Sequence, residues 1–109
     1  MNLKRFDIAL VNFPFSDLTK TKKRPALIIS SLEGDNTIFC QITTKRRGFQ
    51  KYEVVLRKED CDGDIRFDSF VYLDMIFTLH KNLVHRKIGE LKNSKVREVV
   101  NRKISLILS

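Results

Sequence analysis

The sequence predicts a small, mainly β barrel with one helix at its C-terminus. Three observations carry that prediction. Up to Leu79 the apolar residues come in short runs or alternate at period two, as strands require. Short turn-forming or charged stretches separate the runs. From about Ser94 the period changes to that of a helix, with Val96, Val99, Val100, Ile104, Ile107 and Leu108 on one stripe. A chain of 109 residues fits a single domain, residues 1–109, holding about five or six strands.

The elements follow in order. Phe6 to Phe15 is apolar on both faces of a strand, with Ile8 and Leu10 on one side and Ala9, Val11 and Phe13 on the other, and Pro14 closes it. Ser16 to Lys23 reads as a polar, basic loop. Pro25 biases Arg24 toward an extended backbone and introduces a second buried run, Ala26 to Ser30. Glu33-Gly34-Asp35-Asn36 is a turn signal. In Thr37 to Thr43, Ile38, Cys40 and Ile42 face one way, and Phe39, Gln41 and Thr43 the other. After the basic turn Lys45-Arg46-Arg47-Gly48, Tyr52 to Leu56 is a fourth strand. Glu59 to Asp68 is an acidic loop. Val71, Leu73, Met75, Phe77 and Leu79 then alternate with Tyr72, Asp74 and Thr78, which predicts one strand with one apolar face. Asn93 or Ser94 supplies a helix cap.

Charge narrows the function. The net charge is +8, and it is uneven. Residues 1–51 carry ten basic and four acidic side chains, net +6; residues 52–80 carry three and seven, net −4; residues 81–109 carry eight and two, net +6. Such a basic field favours polyanions, of which nucleic acid is the commonest inside a cell.

Several chemistries lack support. No P-loop, G-x-G-x-x-G or H-E-x-x-H motif occurs, and His80 and His85 have no third partner for zinc, so neither cofactor nor metal is expected. Both histidines read as surface residues. Asp60, Asp62 and Asp64 imitate the start of a calcium loop, but Ile65 and Val71 stand where glycine and glutamate are needed. Cys40 and Cys61 read as free thiols. The longest apolar run, Ala26 to Ile29, is too short to span a membrane, and no secretory signal is visible, so the expected location is cytoplasmic.

What remains is a basic loop leading into Arg24, and a strand that ends Ile42-Thr43-Thr44-Lys45. Four blocks resemble the PemK/MazF toxins of bacterial toxin–antitoxin systems. The first is Phe6-Asp7-Ile8-Ala9-Leu10-Val11-Asn12-Phe13-Pro14-Phe15, followed after a polar loop by Lys23-Arg24-Pro25-Ala26-Leu27-Ile28-Ile29-Ser30. The second is Gln41-Ile42-Thr43-Thr44-Lys45. The third is Asp68-Ser69-Phe70-Val71-Tyr72-Leu73-Asp74-Met75-Ile76, and the fourth Ile88-Gly89-Glu90-Leu91. Their order and spacing cover nearly the whole chain.

The resemblance implies an SH3-like barrel of the PemK/MazF/CcdB type. It implies a homodimer that cuts single-stranded RNA sequence-selectively in a groove along the dimer interface, and an acidic antitoxin that fills that groove. It maps the family arginine to Arg24 and the family threonine to Thr43. RNA carries its own nucleophile, so such an enzyme needs only to hold the chain in line and stabilise charge on the phosphoryl oxygens. Arg24 is suited to bind two oxygens at once, and Thr43 to donate its hydroxyl. Lys20, Lys22, Lys23, Lys45, Arg46 and Arg47 are candidate phosphate contacts, and Phe15 or Phe49 candidate stacking platforms. The chain departs from many relatives in having no acid or glutamine at Thr19 to Lys23, and Met75 and Phe77 where others carry glutamine and arginine. No general base is assigned. A dimer is also expected because several strands are apolar on both faces, more than one barrel face can bury. The alternatives are a non-catalytic toxin that grips DNA gyrase, as CcdB does, and a simple nucleic-acid-binding barrel. The Arg24-Pro25 and Ile42-Thr43 blocks favour the nuclease.

Overall fold

A computed structural model describes residues 2–14, 21–46, 48 and 50–109. Among the described residues there are seven strands, more than the five or six expected: β1 (Asp7–Pro14), β2 (Thr21–Ser31), β3 (Asn36–Thr43), β4 (Glu53–Leu56), β5 (Cys61–Gly63), β6 (Ser69–His80) and β7 (Val84–Leu91). A helix, α1 (Ser94–Ile107), follows. All pairings are antiparallel, in the order β4-β6-β3-β2-β1-β7-β5. The curled sheet is a half-barrel, mainly β as the sequence predicts, with its concave face turned to α1.

Each face of the sheet carries its own core. On the concave face Ile8, Leu27, Cys40, Ile42, Val54, Leu56, Val71 and Leu73 meet Val100 and Ile104 of α1. On the convex face Ala9, Val11, Phe13, Ala26, Ile28, Phe39 and Val84 form a second cluster, against which Leu3, Phe77, Leu79 and Leu83 pack. Most apolar residues on both sides of β1 and β2 are therefore buried within one chain, while Leu10 and Pro25 are half-buried. Much of the apolar surface that argued for a dimer finds its cover in the fold itself, so the dimer rests on the family resemblance.

The helix follows its pattern. Asn93 is the N-cap, its side-chain oxygen accepting from the amides of Lys95 and Val96 at 2.9 and 3.2 Å, a contact of about 1 kcal/mol. Leu108 does not join the apolar stripe. It lies past the last turn at the C-cap and is 69% exposed.

Four further expectations are corrected. Phe6 is not a strand residue: it takes φ 76°, and its ring lies beneath the guanidinium groups of Arg5 and Arg97. β2 begins at Thr21 rather than Ala26, because Thr21 to Arg24 extend the hairpin opposite Val11 to Pro14. The acidic loop contains β5, whose residues pair with the end of β7. β6 does not keep one apolar face: a register shift opposite Cys40 and Ile42 reverses its parity. Val71 and Leu73 thus join the concave core, while Phe77 and Leu79 join the convex one.

Candidate functional site

The strand register gathers the predicted residues. Ala26 of β2 pairs with Gln41 of β3. The ladder ends there, with Arg24 two residues beyond on β2 and Thr43 two residues beyond on β3. Alternation puts both on the convex face, with Ala26, Ile28, Phe39 and Gln41. The same alternation places Lys22 on that face and Lys23 on the other. Arg24 pairs with Val11 of β1. Both Arg24 and Thr43 are half-buried.

Thr43 opens onto a cavity of about 250 Å³ lined by Gln41, Thr43, Lys45, Tyr72 and Met75. Its hydroxyl oxygen accepts from the Lys45 amide at 3.1 Å, which fixes the turn and leaves the hydroxyl proton to donate. Thr43 pairs directly with Phe70 of β6, and Tyr72, two residues on, pairs with Glu53 of β4. The Tyr72 hydroxyl donates to Glu53 Oε2 at 2.9 Å, and Arg46 Nε lies 3.2 Å from Glu53 Oε1. Glu53 and Tyr72 were not singled out from sequence as site residues. The signal was there: an acid leading into Val54-Val55-Leu56 needs a partner if it is buried.

The other candidates separate clearly. Lys22, Lys23, Lys45 and Arg46 are exposed. Phe15, Lys20, Arg47 and Phe49 lie outside the described residues. Met75 lines the cavity, whereas Phe77 belongs to the convex core, stacked on Phe39 and edge-on to Phe13. His80 and His85 are exposed, and His80 Nδ1 accepts from the Asn82 amide. Asp60, Asp62 and Asp64 do not converge. Asp60 is buried and accepts from the Asn93 side-chain amide, while Asp64 pairs with Arg66.

Neither cysteine is a nucleophile at neutral pH. Burial pushes the Cys40 thiol up to about 12, with the Asp74 charge adding to the rise. Burial likewise raises Cys61 to about 11, reinforced by Asp60 and Asp62. A second cavity of about 220 Å³ opens on the concave face between Leu10, Ile42, Leu56, Ile65 and Phe67. Its lining is mainly apolar, and its charged members, Asp64 and Arg66, are ion-paired with each other.

Comparison with known proteins places this geometry. Residues 4–108 match a family model described as PemK-like, MazF-like toxin of type II toxin-antitoxin system. No curated protein sequence matches. Among solved structures, the chain is similar to the Mycobacterium tuberculosis toxin MazF-mt6, with a TM-score of 0.73, 23% identity and coverage of 94% of this chain and 95% of that one. A mycobacterial endoribonuclease in complex with its cognate antitoxin gives a TM-score of 0.74 at 18% identity, covering 98% and 95%. MazE-MazF from Deinococcus radiodurans gives 0.73 at 20% identity, covering 97% and 95%. These likenesses show a shared fold.

Proposed function

The chain belongs to the PemK-like, MazF-like toxins of type II toxin-antitoxin systems, and from that membership and its site we propose that it is an endoribonuclease that cuts single-stranded RNA without a metal. The observation that carries the reading is that Arg24 and Thr43 share one face of the sheet, each two residues beyond the Ala26–Gln41 pair, with Lys45 lining the Thr43 cavity.

In the proposed reaction the ribose 2′-oxygen attacks the adjacent phosphorus and the bond to the 5′-oxygen breaks. The products are a 2′,3′-cyclic phosphate and a free 5′-hydroxyl. The 2′-proton leaves and the 5′-oxygen gains one. Arg24 directs two N–H groups at the phosphoryl oxygens, where charge grows, and Thr43 donates its hydroxyl to the same phosphate. The permanent charge of Arg24 makes it an electrostatic stabiliser and hydrogen-bond donor rather than a base. Exposed Lys22, Lys45 and Arg46 track the flanking backbone.

The proposal includes a homodimer, a cytoplasmic location and an acidic antitoxin as partner. Among the described residues no helix is long and apolar enough to cross a membrane. Light scattering should return about twice the 12.8 kDa chain mass. The decisive experiment is incubation with single-stranded RNA in EDTA. Cleavage leaving cyclic phosphate ends is expected, and Arg24→Ala should slow it by about 10²–10³, the scale for losing one donor to developing charge. Intact RNA with the folded wild type would end the nuclease reading. Undiminished cleavage by folded Arg24→Ala would remove Arg24 from the mechanism.

A further inference from the structure

We infer that Glu53 is a positioning residue for the proposed RNA site: its buried carboxylate holds the Arg46 guanidinium beside Thr43 as a preset contact for a backbone phosphate.

The register places the parts. Thr43 pairs with Phe70, and Tyr72, two positions along the same strand and on the same face, pairs with Glu53. Arg46 lies three residues beyond Thr43, past the end of β3, and reaches across this corner. Its guanidinium carbon is 5.9 Å from the centre of the Phe70 ring, and its Nε is 3.2 Å from Glu53 Oε1. The Glu53 side chain is 4% exposed, while that of Arg46 is 51% exposed. One end of the pair is therefore fixed in the protein and the other faces solvent.

A carboxylate so buried is costly unless its oxygens are used. Among the described residues two donors serve it, the Tyr72 hydroxyl at 2.9 Å and the Arg46 side chain. The backbone carbonyl of the same residue accepts from Lys103 Nζ at 2.9 Å, which ties β4 to α1. A guanidinium has five N–H donors in a planar fork, and among the described residues the contact through Nε leaves the fork's far edge for a second anion. The exposed half of Arg46 is thus held at low entropic cost where a phosphate would pass. A lysine in solvent, such as Lys22, has no such anchor among its described contacts.

This inference rests on the RNA reading, so the test separates the two. Single-stranded RNA with 2′-O-methyl riboses lacks the nucleophile and reports binding alone, by fluorescence anisotropy across a salt series. Wild-type protein should bind it with a log–log salt slope of about −0.7 per phosphate neutralised. Arg46→Ala should weaken binding by roughly fivefold to tenfold and make the slope shallower by about one phosphate contact. Glu53→Gln keeps the size of the side chain and removes its charge. It should reproduce both changes, and the double variant should be no worse than Arg46→Ala alone. Loss of packing alone would not change the salt slope. If Glu53→Gln does not fold, Tyr72→Phe carries the test: it should weaken binding by about twofold in the wild-type background and not at all with Arg46→Ala. Independent losses that multiply, or wild-type binding by folded Glu53→Gln, would overturn the inference while leaving the nuclease reading intact. Failure of wild-type protein to bind RNA would overturn both.

Discussion

The rings of Phe13 and Phe77 meet edge to face on the convex side of the sheet, with centroids 5.3 Å apart and planes at 83°. Phe39 completes the group, edge-on to Phe13 and stacked on Phe77 at 5.9 Å. Residues of β1, β3 and β6 are thereby joined outside the concave core. Phe77→Ala should cost about 2–3 kcal/mol, below the full range for Phe→Ala because Phe77 is only half-buried. Urea denaturation should show a lower midpoint at unchanged slope. A loss under about 0.5 kcal/mol, the scale of an ordinary surface change, would deny the cluster its structural role.

Much of this was legible from residue order alone, for physical reasons. β1, β3 and α1 obey one period from end to end, so their faces could be assigned, and Asn93 capped α1 where an Asn-Ser pair met the change of period. β7 was missed because His85, Arg86 and Lys87 are exposed in succession, and two register shifts against β1 break its alternation. β6 showed a clean alternation that was misleading, because the shift near Met75 moved Phe77 to the opposite face. At the proposed site, Arg24 and Thr43 were singled out through the family resemblance. The Glu53–Tyr72 contact was not, because cross-strand register is set by bulges that a single strand does not display.

Gly63 and Gly89 face each other across β5 and β7. Gly63 takes φ +101°, and a Cβ on it would collide with the Ile88–Gly89 backbone. A Cβ on Gly89 would press on the Asp62 carbonyl and the Ile65 side chain. Gly89→Ala has no favourable place for its methyl group and should destabilise by about 1–3 kcal/mol. Amide exchange should rise first at Cys61 to Gly63, the edge strand that depends on this approach. Gly34→Ala is the control: its φ of +97° is strained but nothing lies within 4 Å, so its cost should stay near 1–2 kcal/mol and leave β5 protected. Equal exchange patterns in the two variants would exclude close approach as the cause.

Cys40 should make the protein sensitive to alkali. Its thiol rises from an ordinary 9.0 to about 12 in the folded chain, chiefly through burial. Above pH 9.0 the unfolded chain loses this proton while the folded chain keeps it, so the unfolded state binds fewer protons and stability falls as pH rises. The contribution is complete below that point and is lost progressively toward pH 12. Urea midpoints measured upward from neutrality should fall more steeply for wild type than for Cys40→Ala, which has no thiol to titrate. Parallel curves would mean that Cys40 is not responsible. Iodoacetamide should likewise leave Cys40 unmodified until the chain is unfolded, since it is completely buried.

The last prediction concerns control by an acidic partner. The N-terminal 51 residues and the C-terminal 29 each carry net +6, and Lys22, Lys45 and Arg46 are exposed beside the proposed site. An acidic, disordered segment can follow the same surface as an RNA backbone. Its ordering costs entropy, but it covers a long path at once. Steering between opposite charges should make association fast and strongly dependent on salt. The partner and RNA should then compete: added partner lowers RNA affinity without changing the salt slope of the RNA that still binds. Co-expression of this chain with its neighbouring reading frame supplies the complex, and titration with 2′-O-methyl RNA reads the competition directly. Arg46→Ala should weaken both ligands, because one guanidinium serves both. A partner that binds tightly yet leaves RNA binding and cleavage unchanged would show that it acts away from the Arg24–Thr43 face.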